Sequence, residues 1–95
     1  MKYRKRPGVV HTVICNTHVL IPNRAAAEHC RTMLRMPLLW AYTWDQFDQP
    51  EAQEKLMHVH RVLTKADDAT IRKSMDSFFA SMAEHGYLIP EEEDS

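Results

Sequence analysis

Six histidines and two cysteines are the side chains of this 95-residue sequence with the most chemistry to offer. A structural zinc site needs four convergent nitrogen or sulfur ligands, usually announced by close pairs such as CxxC. Cys15 and Cys30 stand apart, and neither CxxC nor HExxH occurs. His58 and His60 lie two residues apart in a stretch of helical periodicity, so they leave on different faces. The remaining histidines scatter over separate segments, as polar surface histidines do, while His60 joins an apolar stripe. No metal and no cofactor is expected. A Cys–His nucleophile is the next possibility, since His11 and His18 flank Cys15. Along a strand, His11 and Cys15 share a face but sit too far apart for direct hydrogen bonding. Cys15 is expected to be a buried structural thiol. Gly8 and Gly86 are the only glycines, which leaves no glycine-rich loop for a phosphate. Catalysis is not expected.

The composition points to one small folded domain. Hydrophobic residues make up 44% of the sequence, and 12 Lys+Arg against 13 Asp+Glu leave a net charge of −1. That balance excludes a globally cationic nucleic-acid coat and a polyacidic disordered chain. Polar residues interrupt the apolar stretch after the basic start, so no signal-peptide core and no membrane span is visible. A reduced, cytoplasmic protein with no membrane partner is the expectation. Lys2, Arg4, Lys5 and Arg6 open the sequence; Glu91, Glu92, Glu93 and Asp94 close it. Residues 1–7 are therefore expected to be a flexible basic terminus, 8–90 the domain and 91–95 an acidic tail.

Periodicity supplies the elements. Val9 to Cys15 is β-branched and alternates, Asn16-Thr17 is a two-residue turn, and His18 to Ile21 returns until Pro22 stops it. Asn23 caps a short helical turn over Arg24 to Cys30. Thr32 to Met36 is read as a third strand, because the residue before Pro37 favours extended geometry. Three helices follow. Leu38 to Phe47 carries Trp40, Trp44 and Phe47. Glu51 to Leu63 carries Ala52, Leu56, Val59, His60 and Leu63 on one face. Asp68 to His85 carries Ile71, Met75, Phe78, Phe79 and Met82. Gly86 suits a left-handed cap for the last helix. Strands followed by helices give an α+β domain, winged helix-turn-helix-like, with a three-stranded antiparallel sheet followed by three helices. A winged-helix DNA-binding protein is one reading of that shape, and a structural adaptor subunit holding a partner's helix is another. Duplex DNA is disfavoured because Arg72 and Lys73 of the last helix meet a comparable number of acids.

The motifs also carry a resemblance. RPGVV opening the first strand, the VIC-NT-HVLIP hairpin, a cysteine-ended connector, a short strand, a Trp-bearing helix and the ending MAEHGYLIPEE resemble the PqqD-like peptide-recognition domains, the RiPP recognition elements. The FFxxMxxxGYLI pattern of the last helix is similar to theirs, and the likeness runs from about Arg6 to Glu92. Met36-Pro37-Leu38-Leu39 stands where the family often has Asn-x-x-Ala. The resemblance implies a non-catalytic domain that binds the leader segment of a ribosomally made precursor peptide. It would present that peptide to a modifying enzyme, often a radical SAM enzyme. Its recognition mode is strand addition at a free sheet edge. Carried onto this sequence, the edge is Thr32, Met33, Leu34, Arg35 and Met36, and the facing helix offers Ile71, Arg72, Met75, Asp76 and Phe79. Arg35 and Arg72 would pair with acids of the leader.

Overall fold

A computed structural model describes residues 2–30 and 33–91. Their order is β1 (Lys2–Lys5), β2 (Val9–Ile14), β3 (Thr17–Pro22), β4 (Leu34–Met36), α1 (Leu38–Gln46), α2 (Gln53–Thr64), α3 (Asp68–Glu84) and β5 (Leu88–Glu91). Short 3-10 turns span Ala26–Glu28 and Pro50–Ala52. The fold is α+β, with the expected three-stranded antiparallel sheet, ordered β2-β3-β4, followed by three helices. No helix among the described residues is long and apolar enough to cross a membrane.

The hairpin closes one residue earlier than its sequence suggests. Cys15 and Asn16 form the turn, both at positive φ (49° and 63°), and Ile14 pairs with Thr17. Two consecutive left-handed residues make the turn whose twist matches that of the strands it joins, and Asn tolerates the conformation best after glycine. Cys15 consequently leaves the strand and is exposed, not a buried thiol. The register sets Val13 against His18 and His11 against Leu20. Asn23 then caps the first 3-10 turn, its Oδ1 accepting from the Ala26 amide at 2.9 Å.

The third strand is shorter than its sequence suggests. It begins at Leu34, Met33 precedes it in irregular chain, and Thr32 lies outside the described residues. Pairing of β3 with β4 sets His18 against Met36 and Leu20 against Leu34. Val9, Leu20, Leu34 and Met36 therefore share the face that packs on Ala41 and Trp44 of α1 and on Met82 of α3. A second cluster joins Leu56 of α2 to Ile71 and Met75 of α3. Leu56 is 0% exposed, and its truncation to Ala would cost about 2–5 kcal/mol. Leu63, placed on the same stripe by periodicity, is 61% exposed.

Both chain ends depart from expectation. The basic start is not a flexible terminus: β1 pairs antiparallel with β5, Lys2 opposite Glu91 and Lys5 opposite Leu88. Alternation turns Tyr3 and Lys5 inward, Tyr3 beside Phe79 with ring centroids 6.2 Å apart and the Lys5 ammonium 5.5 Å from the ring centroids of Trp44 and Phe47. Glu91 belongs to β5 and not to a solvated tail, whereas 92–95 lie outside the described residues. The return into β5 depends on Gly86. Tyr87 donates to the Met82 carbonyl at 2.9 Å and Gly86 to Ala83 at 3.1 Å, the paired bonds of a left-handed helix cap. At the other end of α3, Asp67 accepts from the Thr70 amide at 2.8 Å. Hydrogen bonding from the Thr70 side chain, and then from this amide, holds its carboxyl below the usual range.

Candidate functional site

The free edge of β4 follows from the hairpin register. A two-residue turn of this type closes on a hydrogen-bonded pair, and such pairs alternate along an antiparallel ladder. Ile14–Thr17 is therefore hydrogen-bonded, as are the pairs of Thr12 with Val19 and Val10 with Ile21. The next step of the same series is observed directly, the Asn23 amide donating to the Gly8 carbonyl at 2.7 Å. His18 and Leu20 must then direct their backbone groups to β4, where they meet Met36 and Leu34. Arg35, opposite Val19, is left with its N–H and C=O pointing away from the sheet. Pro37 follows with no N–H to offer, and its carbonyl already accepts from Ala41 at 2.9 Å. Strand β4 thus presents one complete backbone pair, that of Arg35.

Beside this edge lies a groove of about 200 Å3 lined by Leu34, Arg35, Met36, Pro37, Trp40, Phe78, Ser81 and Met82. Its wall is aromatic: Trp40 stacks on Phe78 with centroids 4.7 Å apart and planes inclined 23°. Arg35 is exposed at its rim, Leu34 is half-buried and Met36 is buried. Strand and groove hence bring together three of the five expected edge residues, Leu34, Arg35 and Met36, while Met33 is exposed ahead of the strand.

The helical half of the expected site lies elsewhere. Ile71 and Met75 pack against Leu56. Arg72, Met75 and Asp76 line a separate cleft between α2 and α3. Phe79 meets Phe47 at 5.0 Å and borders a third cleft with Tyr3. None of these five lines the groove beside β4. The apolar stripe is buried as its periodicity implies, but it serves two neighbours in succession along a helix rising about 1.5 Å per residue. Its first half covers α2, and only Phe78 and Met82 of its second half reach the groove at β4. The short connection between α2 and α3 was the available signal, because it obliges the start of α3 to lie against α2.

Behind the aromatic wall sits His60, 1% exposed. The Thr43 hydroxyl donates to the Leu39 carbonyl at 2.8 Å, so its oxygen accepts from His60 Nε2–H at 2.7 Å. This fixes the neutral tautomer with the proton on Nε2, and burial pushes the imidazole pKa down. The ring meets Trp40 edge-on at 5.2 Å, which links a buried titratable group to the groove.

A histidine pair, His11 and His18, joins the hairpin to α1 through Asp45. His11 Nδ1 lies 2.9 Å from Asp45 Oδ1, and His11 Nε2 lies 2.9 Å from His18 Nδ1. An ionised carboxylate only accepts, so His11 donates from Nδ1. In its neutral form it accepts from His18 at Nε2. Neither the scatter of these residues in sequence nor a spacing rule announces the cluster, because the hairpin register and the placement of α1 create it. Among the described residues no group of three or more His, Cys, Asp or Glu is arranged to hold a metal ion. A scan against protein-family models, a search of curated proteins and a search of solved structures each gave no match to this chain.

Proposed function

We propose that this protein captures an extended peptide by strand addition along β4 and presents it to a peptide-modifying enzyme. The observation that carries the reading is the conjunction of an outward-facing backbone pair at Arg35 with an apolar groove beside it. Main-chain bonding to Arg35 fixes the direction of the peptide, and the side chains on either side of that contact enter the groove or turn to solvent. The space between Leu34, Trp40, Phe78 and Met82 suits an apolar side chain. The Arg35 guanidinium at the rim favours an acidic neighbour. The resemblance in sequence supplies the rest of the reading: the peptide is the leader of a ribosomally made precursor, and the enzyme belongs to the radical SAM class. A short edge alone gives little affinity, so the groove must contribute much of it.

The test is fluorescence anisotropy with labelled peptides encoded by short reading frames beside this gene. Binding of one peptide at micromolar affinity or better, weakened at least tenfold by Ser81→Trp, supports the reading. Ser81 is exposed on the groove wall, so a bulky ring there fills the groove without replacing any residue of the sheet. Undiminished binding by the folded variant would exclude the groove. Sequence-selective, submicromolar binding of duplex DNA instead would replace the reading altogether.

A further inference from the structure

The opposite end of the same sheet carries a longer free edge. Strand β2 terminates the order β2-β3-β4. By the alternation derived above, Val9, His11 and Val13 direct their backbone groups away from β3. The Val9 amide is taken by the Arg6 carbonyl at 3.3 Å, which leaves His11 and Val13 with both N–H and C=O outward. Exposed edges in folded proteins are normally guarded by a charge or a proline. Among the described strands, β4 has Arg35, β1 has Lys2, Arg4 and Lys5, and β5 has Pro90. Only β2, with the sequence VVHTVI, has neither. Its side chains stay open to solvent, Val10 at 55%, Val13 at 54% and Ile14 at 46% exposure.

We propose that β2 pairs with β2 of a second copy of this chain, antiparallel across a two-fold axis at Thr12. The two three-stranded sheets then join into one. The symmetry of the strand selects this occupant. With His11 and Val13 of each copy bonded to Val13 and His11 of the other, Thr12 faces Thr12 and Val10 faces Ile14 on one face of the sheet. Val10 and Ile14 meet as apolar partners, His11 lies opposite Val13 on the other face, and no side chain of formal charge in β2 is brought against its like, as the isologous operation requires. Strand β4 under the same operation would set Arg35 near Arg35. Four backbone bonds and a narrow apolar strip make a small contact, so the dimer is weak and its population depends on concentration. The β4 edge stays open in it, and the inference does not rest on the peptide-binding reading.

Sedimentation velocity on the intact chain tests this from about 5 to about 500 µM, the range that brackets a weak interface. The mass should rise from that of the 11.1 kDa monomer towards twice that value. Thr12→Lys and Thr12→Glu should each remain monomeric, while an equimolar mixture of the two associates again. A wild type that stays monomeric throughout, a Thr12→Lys protein that dimerises as the wild type does, or a mixture that fails to associate would overturn the proposal. A readout on the unaltered protein covers the case of a misfolded variant. Amide exchange at His11 and Val13 should slow with rising protein concentration while that at Arg35 does not. Equal rates at all concentrations, or slowing at His11 and Val13 only when a peptide is added, would also overturn it.

Discussion

His60 combines a role in packing with a pH dependence whose sign is fixed. Buried beside Trp40 with its Nε2–H on Thr43, it is neutral in the fold, and its pKa lies below the ordinary 6.5. The unfolded chain therefore takes up the proton first as pH falls. Between 6.5 and the lower folded value the unfolded state binds more protons, so stability rises with pH there. The contribution of His60 should be complete above that window and decline as pH drops through it. Urea midpoints measured across that range should show the slope, and His60→Gln, which keeps a donor for Thr43 without a titrating ring, should flatten it. Gly86 offers a second test. Its φ is +89°, and a Cβ there would sit 2.1 Å from the His29 carbonyl oxygen. Gly86→Ala should destabilise by about 2–4 kcal/mol, from left-handed strain plus the displaced connector, read as a lowered urea midpoint with an unchanged slope.

Among the elements, β4 has the most specific prediction. Because Leu34 and Met36 bond to β3 and Arg35 does not, proline has opposite consequences one residue apart. Leu34→Pro removes a donor of the sheet itself and should unfold the edge, seen as a loss of β signal in circular dichroism. Arg35→Pro spares the bonds to β3 but removes the outward donor together with the rim guanidinium, so Arg35→Ala is its reference. It should leave the fold intact and bind the peptide about 2–13-fold more weakly than Arg35→Ala does, the worth of one net hydrogen bond. Unaltered peptide affinity in a folded Arg35→Pro protein would argue against strand addition at this edge. Arg35→Glu probes charge in place of the backbone. It should weaken an acidic peptide at low salt and matter less as salt rises.

At the scale of the whole molecule, α3 carries no cationic face among the described residues. Arg61 is engaged by Asp68 through two contacts of 2.6 and 2.8 Å, and Lys5 lies 3.7 Å from Asp48. On α3 the exposed Arg72 and Lys73 share their surface with Asp76 and follow Asp67 and Asp68. Duplex DNA should accordingly bind weakly and without sequence preference at physiological salt, as anisotropy with unrelated duplexes would show.

What the sequence determined by itself was local. The hairpin strands, the Asn23 cap, the end of α3 at Gly86 and the three helices all follow from propensity, periodicity and capping among residues close in the chain. Candidate edge positions Leu34 to Met36 were legible for the same reason, since Pro37 constrains its predecessor. The tertiary structure decided everything that joins distant residues. Pairing Lys2–Lys5 with Leu88–Glu91 depends on bringing the two ends together, and a basic tetrapeptide read alone resembles a solvated tail. A one-residue difference at the turn moved Cys15 into solvent and set His18 opposite Val13. The stripe on α3 was visible as a stripe, but only packing could divide it, Ile71 and Met75 for α2, Phe78 and Met82 for the groove at β4. Periodicity reports which side of a helix is buried; the neighbour that buries each turn depends on where the other elements lie along its axis.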